Sequence, residues 1–332
     1  MTRERVVTAA MPVSGNDGQD VDVLGALPPV VRAKPRIVWD YAIVVVGVHV
    51  LALLACVPWF FSWTGVILML VGTYVYGGLG INLCYHRLLS HRAFKCPVWL
   101  ERFFVFIALC CMQDAPGRWV AAHRIHHKFA DDEPDPHSPL ISFLWSHIGW
   151  LMVDKHGLNK IANYERYARD LLRQPFYLNL ERQLVPIIVY LGHWVLYFAA
   201  GFIAGVLMRY DTMACVQFGL SLMVWGAIVR TVTVWHITWT VNSLTHMFGY
   251  RNYNTDEASR NNWFVALISS GEGWHNNHHA DPAAANNSRR WWEIDLIYGV
   301  IWLLEKFGLA WDVVKPREQR RADNRPAQAT QS

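Results

Sequence analysis

Four long runs with almost no charge restrict this 332-residue chain to helical membrane architectures. Residues 41–61 (YAIVVVGVHVLALLACVPWFF) hold His49 as their one group that titrates near neutrality, and residues 64–84 hold no charge. Residues 184–207 are interrupted only by His193, and residues 213–240 only by Arg230 and His236. A spanning helix needs about 20 apolar residues. Inside hydrocarbon, backbone polar groups pair only in helices or closed barrels, and runs of this length predict helices. Composition agrees, with 53% hydrophobic and 17% charged residues against about 25% charged in soluble domains. The mean hydropathy of only +0.14 leaves a substantial part of the chain in water.

The remaining segments fit around those spans. Residues 1–36 are polar, rich in Gly and Pro, and read as a flexible arm, not a signal peptide, because the first apolar run starts late and is long enough to span. The Ser62-Trp63 link is so short that the first two spans form a tight hairpin. Residues 97–113 are apolar but carry Glu101 and Arg102, which predicts a helix at the interface or over the site. Residues 154–183 are charged and lie in water, 294–311 form another interfacial helix, and 316–332 are a disordered tail. The fold class is an all-α integral membrane protein: four transmembrane helices carry a helical cap built from 85–183 and 241–315, within one domain over 37–315. An even span count puts both termini on one side. Lys and Arg crowd the arm, 87–128 and 154–183 but are nearly absent from the two short links, which places termini and cap in the cytoplasm. The net charge of +4 comes with no nucleic-acid motif, which excludes nucleic acid as a partner. The six cysteines show no CxxC spacing and read as reduced packing residues.

The chemistry lies in three histidine clusters: His86 and His91; His123, His126 and His127; and His275, His278 and His279. The second and third place imidazoles at i, i+3 and i+4, on one helix face, a comb suited to iron, zinc, copper or nickel. His86 and His91 are five apart, about 140° around an ideal helix, so they converge only if the helix is ending or the metal sits off its axis. Eight imidazoles exceed what one metal holds, so two metals are implied. Few carboxylates are interleaved, unlike the Glu/His di-iron bundles of soluble proteins. Asp131, Asp132, Glu133, Asp135 and Glu272 are candidate acceptors that would fix imidazole orientation. His49, His137, His147, His156, His193 and His236 stand apart and read as structural.

HRLLSH (86–91), HRIHH (123–127) and HNNHH (275–279) resemble the three histidine boxes of the membrane fatty-acid desaturases. The DPHS, SHIGWLMV, WTVNSLTHMFGYRNY and GEGWHNNHH contexts resemble the stearoyl-CoA (delta-9) branch, in its bacterial form, over residues 38–315. That resemblance implies a di-iron centre in the cytosolic cap. One iron would take His86, His91, His123, His127 and His278. The other would take His126, His246, His275 and His279, with Asn242 holding a water. Zinc is the replacement expected in a purified sample. It also implies O2 as cosubstrate and a narrow acyl tunnel, for which Tyr74, Gly78, Trp119, Lys155 and Trp239 are the candidate contacts. No haem or flavin is expected in the chain, so electrons would come from a separate ferredoxin, cytochrome b5 or flavin reductase. Where acyl-CoA enzymes of the family place CoA contacts, this chain has Asp114, Ala121, Ala122 and Asp154. The acyl carrier is therefore open between CoA, lipid and carrier protein. The expected reaction is O2-dependent insertion of a cis double bond, at delta-9, into a long saturated chain held in an inner or endoplasmic-reticulum membrane. A related di-iron hydroxylase or alkane monooxygenase would use the same boxes. A non-enzymatic metal-binding membrane protein is the more distant rival, and it predicts ligands inside the spans.

Overall fold

The computed structural model describes residues 36–132, 135–154 and 161–323. Residues 1–35, 133–134 (with Glu133), 155–160 (with Lys155 and His156) and the tail from 324 onward lie outside them, whereas Arg317–Asp323, expected to be part of a disordered tail, is helical. Among the described residues, four helices are long and apolar enough to cross a membrane: α1 (Trp39–Cys56), α2 (Trp63–Ser90), α5 (Leu184–Leu207) and α6 (Thr212–Met247). Between them lie the cap helices α3 (Val98–Leu109) and α4 (Pro116–Phe129). After α6 come α7 (Trp263–Ile268), α8 (His275–Ala280) and α9 (Leu296–Lys306). This is the expected all-α membrane architecture with a histidine-bearing cap.

Three spans differ from the sequence reading in ways that position the site. α1 stops at Cys56, and Pro58–Phe60 forms a separate 3-10 turn, since proline cannot continue a helix. The hairpin link is thus 57–62, not Ser62-Trp63, and Ser62 caps α2 by accepting from the Gly65 N–H at 3.0 Å. α2 does not end at 84. It winds on to Ser90, and from Thr73 its bonding is π-helical, i→i+5. α6 likewise passes through Arg230 and His236 and ends only at Met247. At 1.5 Å per residue it is about 50 Å long, against about 30 Å of hydrocarbon. Its last turns therefore leave the lipid and carry Asn242 and His246 into the cap.

Arg230 does not break α6 because the protein satisfies it internally. It is fully buried, donates to the Cys110 carbonyl at 3.0 Å and to His193 Nε2 at 3.2 Å, and lies 4.2 Å over the Tyr76 ring. Small residues bring α5 and α6 together: a Cβ on Gly201 would lie 2.8 Å from the Gly219 Cα. One apolar core joins Val45, Val48, Tyr190, Ile228, Trp235 and Trp239 between the spans. A second, with Leu83, Phe104, Leu109, Val120 and Ile301, fixes the cap on α2. Arg36–Ile37 (β1) pairs antiparallel with Val153–Asp154 (β2), which ties the start of α1 to the cap. α3 keeps Trp99 and Phe103 exposed, and α9 keeps Trp302 and Leu303 exposed, with Phe307 exposed just past its end.

Candidate metal centre

The π winding at the end of α2 settles how His86 and His91 meet. The His91 N–H donates to the His86 carbonyl at 3.1 Å, an i→i+5 bond, and the two rings sit 4.8 Å apart. α4 presents His123, His126 and His127, α6 adds His246, and α8 adds His275, His278 and His279. The nitrogens of His86, His91, His123, His127 and His278 all lie within 4.8 Å of one another. Those of His126, His246, His275 and His279 form a second such set. His127 and His279 stack at 4.5 Å, so the sets are adjacent.

The donor chemistry fits cations. The Nε2 atoms face each other in pairs: His86 with His278 at 3.0 Å, His91 with His123 at 2.7 Å, His127 with His278 at 2.9 Å, and His246 with His275 at 3.1 Å. The opposite ring nitrogens of several are held by acids. His86 Nδ1 lies 2.8 Å from Glu272, His126 Nδ1 2.9 Å from Asp135, and His246 Nδ1 3.0 Å from Asp131. A neutral ring that donates from Nδ1 has only a lone pair at Nε2. Lone pairs converging at such distances repel unless a cation lies between them. Burial, then the neighbouring imidazoles, push His91, His123, His127, His275, His278 and His279 well below the ordinary histidine range, into the neutral form that ligates. For His126, burial pulls down, but the charge and hydrogen bond of Asp135 outweigh it and hold its pKa up.

A supporting frame fixes the rings. Fully buried Arg87 lies 2.7 Å from Glu272 and 2.8 Å from Asp295. The two asparagines of HNNHH anchor α8 on the side away from the histidines. Asn276 Oδ1 accepts from the Asn252 and Tyr253 N–H groups, and Asn277 Nδ2 donates to Glu293, each at 2.8 Å. Glu257, 3.7 Å from His279 Nδ1, is a carboxylate the sequence reading missed, because it lies in a loop with no spacing relation to the boxes. His137 is not isolated as expected: its ring is 4.3 Å from His126.

A cavity of about 460 Å³ runs up to this centre. Val45, Met112, Trp119, Trp235 and Trp239 form its apolar walls, and His123, His137 and Asn242 border its inner end. Trp119 and Trp239, two of the expected acyl contacts, line this cavity. Tyr74 and Gly78 are not on it: Tyr74 is exposed, and Gly78 faces Ile297. Lys155 lies outside the described residues.

Comparison with known proteins agrees with this geometry. The family model for fatty acid desaturases matches residues 58–314. The chain belongs to the fatty acid desaturase family. It is 41% identical over 280 residues to an sn-1 stearoyl-lipid 9-desaturase of Anabaena variabilis, covering 84% of this chain and 95% of that one. It is 45% identical over 278 residues to an acyl-CoA 5-desaturase of Anemone leveillei, covering 84% and 80%. It is 37% identical over 329 residues to the chloroplastic palmitoyl-monogalactosyldiacylglycerol delta-7 desaturase of Arabidopsis thaliana, covering 96% and 82%. This desaturase is accordingly an oxidoreductase that introduces a double bond into a fatty acyl chain, and the hydroxylase and non-enzymatic readings are not favoured.

Proposed function

We propose that this desaturase introduces a cis double bond at delta-9 of a saturated chain carried on a membrane lipid. The centre would hold two irons, one on His86, His91, His123, His127 and His278, the other on His126, His246, His275 and His279. Asn242 would position a water at the second. The carrying observation is the pair of adjacent imidazole sets at the end of one apolar cavity. Bound there, the metals would supply the oxygen chemistry that an unactivated methylene requires.

The chain's own residues do the rest. Trp119, Trp235, Trp239 and Met112 bind the acyl chain and exclude water, and they place its middle beside His123. Glu272, Asp135 and Asp131 hold three rings so that Nε2 faces inward. Electrons come from a separate donor, a ferredoxin, cytochrome b5 or flavin reductase. The folded domain is 37–315, with its cap and both termini in the cytoplasm. Expression in a host without its own delta-9 desaturase tests this. Mass spectrometry should find new delta-9 monoenes in the lipids, absent with a His126→Ala variant, whereas hydroxylated chains or unchanged lipids would refute it.

A further inference from the structure

Three histidines that stand apart in the sequence meet in the fold. His49 belongs to α1, His236 to α6, and His147 to the cap segment 145–152. His236 sits in the middle. Its Nε2 lies 3.1 Å from His49 Nε2, and its Nδ1 lies 3.0 Å from His147 Nε2. The outer nitrogens are held too: His49 Nδ1 is 2.7 Å from the Val45 carbonyl, and His147 Nδ1 is 3.1 Å from Ser243 Oγ. Each neutral ring offers one N–H and one lone pair. In the neutral trio the Ser243 hydroxyl donates to His147, His147 to His236, His236 to His49, and His49 to the Val45 carbonyl. With one added proton, His236 donates from both nitrogens, His147 donates to Ser243, and Ser243 donates to the Trp239 carbonyl 2.8 Å away. Both nitrogens of His236 are therefore bonded in either state.

The trio is built against the wall of the cavity. Trp239 packs on all three rings: it stacks on His49 at 6.2 Å and meets His147 at 5.8 Å and His236 at 5.2 Å, edge to face. Trp235 lies 5.7 Å from His49. Both tryptophans are buried and line the cavity. Val44 and Val45 of α1 line it as well, as do Trp150 and Leu151 of the cap segment. The trio thus knots together, from outside, the three elements that carry these wall residues. None of the imidazoles in the two metal sets is among its bonding partners. A displacement of about 1 Å at a positioning wall is enough to move a bound chain off the reacting atoms.

We propose that His236 is a positioning residue for desaturation: by holding α1 and the cap segment to α6, it fixes Trp235 and Trp239 and so sets which methylene pair stands at the metal centre. The inference rests on the reading of this cavity as the acyl site. It is tested with the full-length metal-loaded enzyme in nanodiscs, with ferredoxin and its reductase, on stearoyl lipid and on stearoyl-CoA. His236→Phe keeps a flat ring and removes both bonds, whereas His236→Gln keeps one donor and one acceptor. Iron per chain should match the unaltered enzyme in both variants, because no metal ligand is touched. His236→Phe should raise KM about fivefold, the equivalent of one neutral hydrogen bond. Mass spectrometry of dimethyl disulfide adducts should also find its double bonds spread to carbons beside the usual position, and His236→Gln should restore a single position. His147→Phe breaks the same knot from the cap side and should spread the double bond likewise, so the test stands even if His236→Phe fails to reach the membrane. One unchanged double-bond position in the Phe variants, loss of iron from them, or a spread as large with Gln as with Phe would overturn the proposal and leave the desaturase reading standing. Absence of a double bond from the unaltered enzyme on both carriers would instead sink the acyl-site reading, and the proposal with it.

Discussion

Replacing Glu272 by Gln keeps the shape of the side chain and removes one buried charge from the frame behind the metal centre. Burial alone would raise this carboxyl, but Arg87, and after it His86, pull it from 4.5 to about 2. At about 1.4 kcal/mol per tenfold in acidity constant, that depression corresponds to about 3 kcal/mol of stability at neutral pH. A second route gives a similar figure. Removing one partner of a buried ion pair costs about 3–5 kcal/mol. Arg87 would retain Asp295 at 2.8 Å and the Ala285 carbonyl at 2.7 Å, which places the cost near the lower end. The pH dependence has a fixed sign. A carboxyl depressed in the fold contributes fully above its unfolded value near 4.5, and the contribution disappears as pH falls through about 2. Denaturant unfolding of the detergent-solubilised protein, followed by tryptophan fluorescence, should show the variant less stable at pH 7 and the gap closing below about pH 4. Metal affinity should fall about 10- to 100-fold, as when a ligand loses its orienting partner. Equal stability of the two proteins at pH 7 would refute the assignment of Glu272 as the anchor of Arg87 and His86.

Other expectations follow from the same geometry. His126→Ala should abolish desaturation while leaving the protein in the membrane, and loss from the membrane fraction would show a folding role instead. Reporter fusions should place both termini in the cytoplasm, and an external C-terminus would contradict the four-span arrangement. Gly201→Leu should weaken the α5–α6 hairpin by about 1–3 kcal/mol of overpacking, since a Cβ there would lie 2.8 Å from the Gly219 backbone. Unchanged thermal stability of that variant would refute the close approach.

The sequence showed the membrane class and the two combs directly, because both rest on short-range periodicity: uninterrupted apolar length for the spans, and i, i+3, i+4 spacing for His123–His127 and His275–His279. What it concealed was winding and long-range contact. His86 and His91 look divergent on an α-helix and meet only because the end of α2 is π-wound. The extension of α6 from 240 to Met247 was hidden because its last turns pack in the cap, and the partners that satisfy Arg230 within the span, Cys110 and His193, are far away in sequence. His246 joined the ligand set through the resemblance alone, and its place beside His275 is a tertiary fact. Glu257 and His137 were out of reach for the same reason. Tyr74 and Gly78 show the converse: a plausible position along a span did not bring them onto the cavity.

The claim on which the rest depends is that two metals, not one, sit in the two imidazole sets. Elemental analysis of active, purified enzyme tests it most directly, with iron per chain followed alongside activity as a chelator removes metal. The account predicts two irons per chain in fully active protein and activity lost with the first one removed. Full activity at one iron per chain or fewer would contradict it.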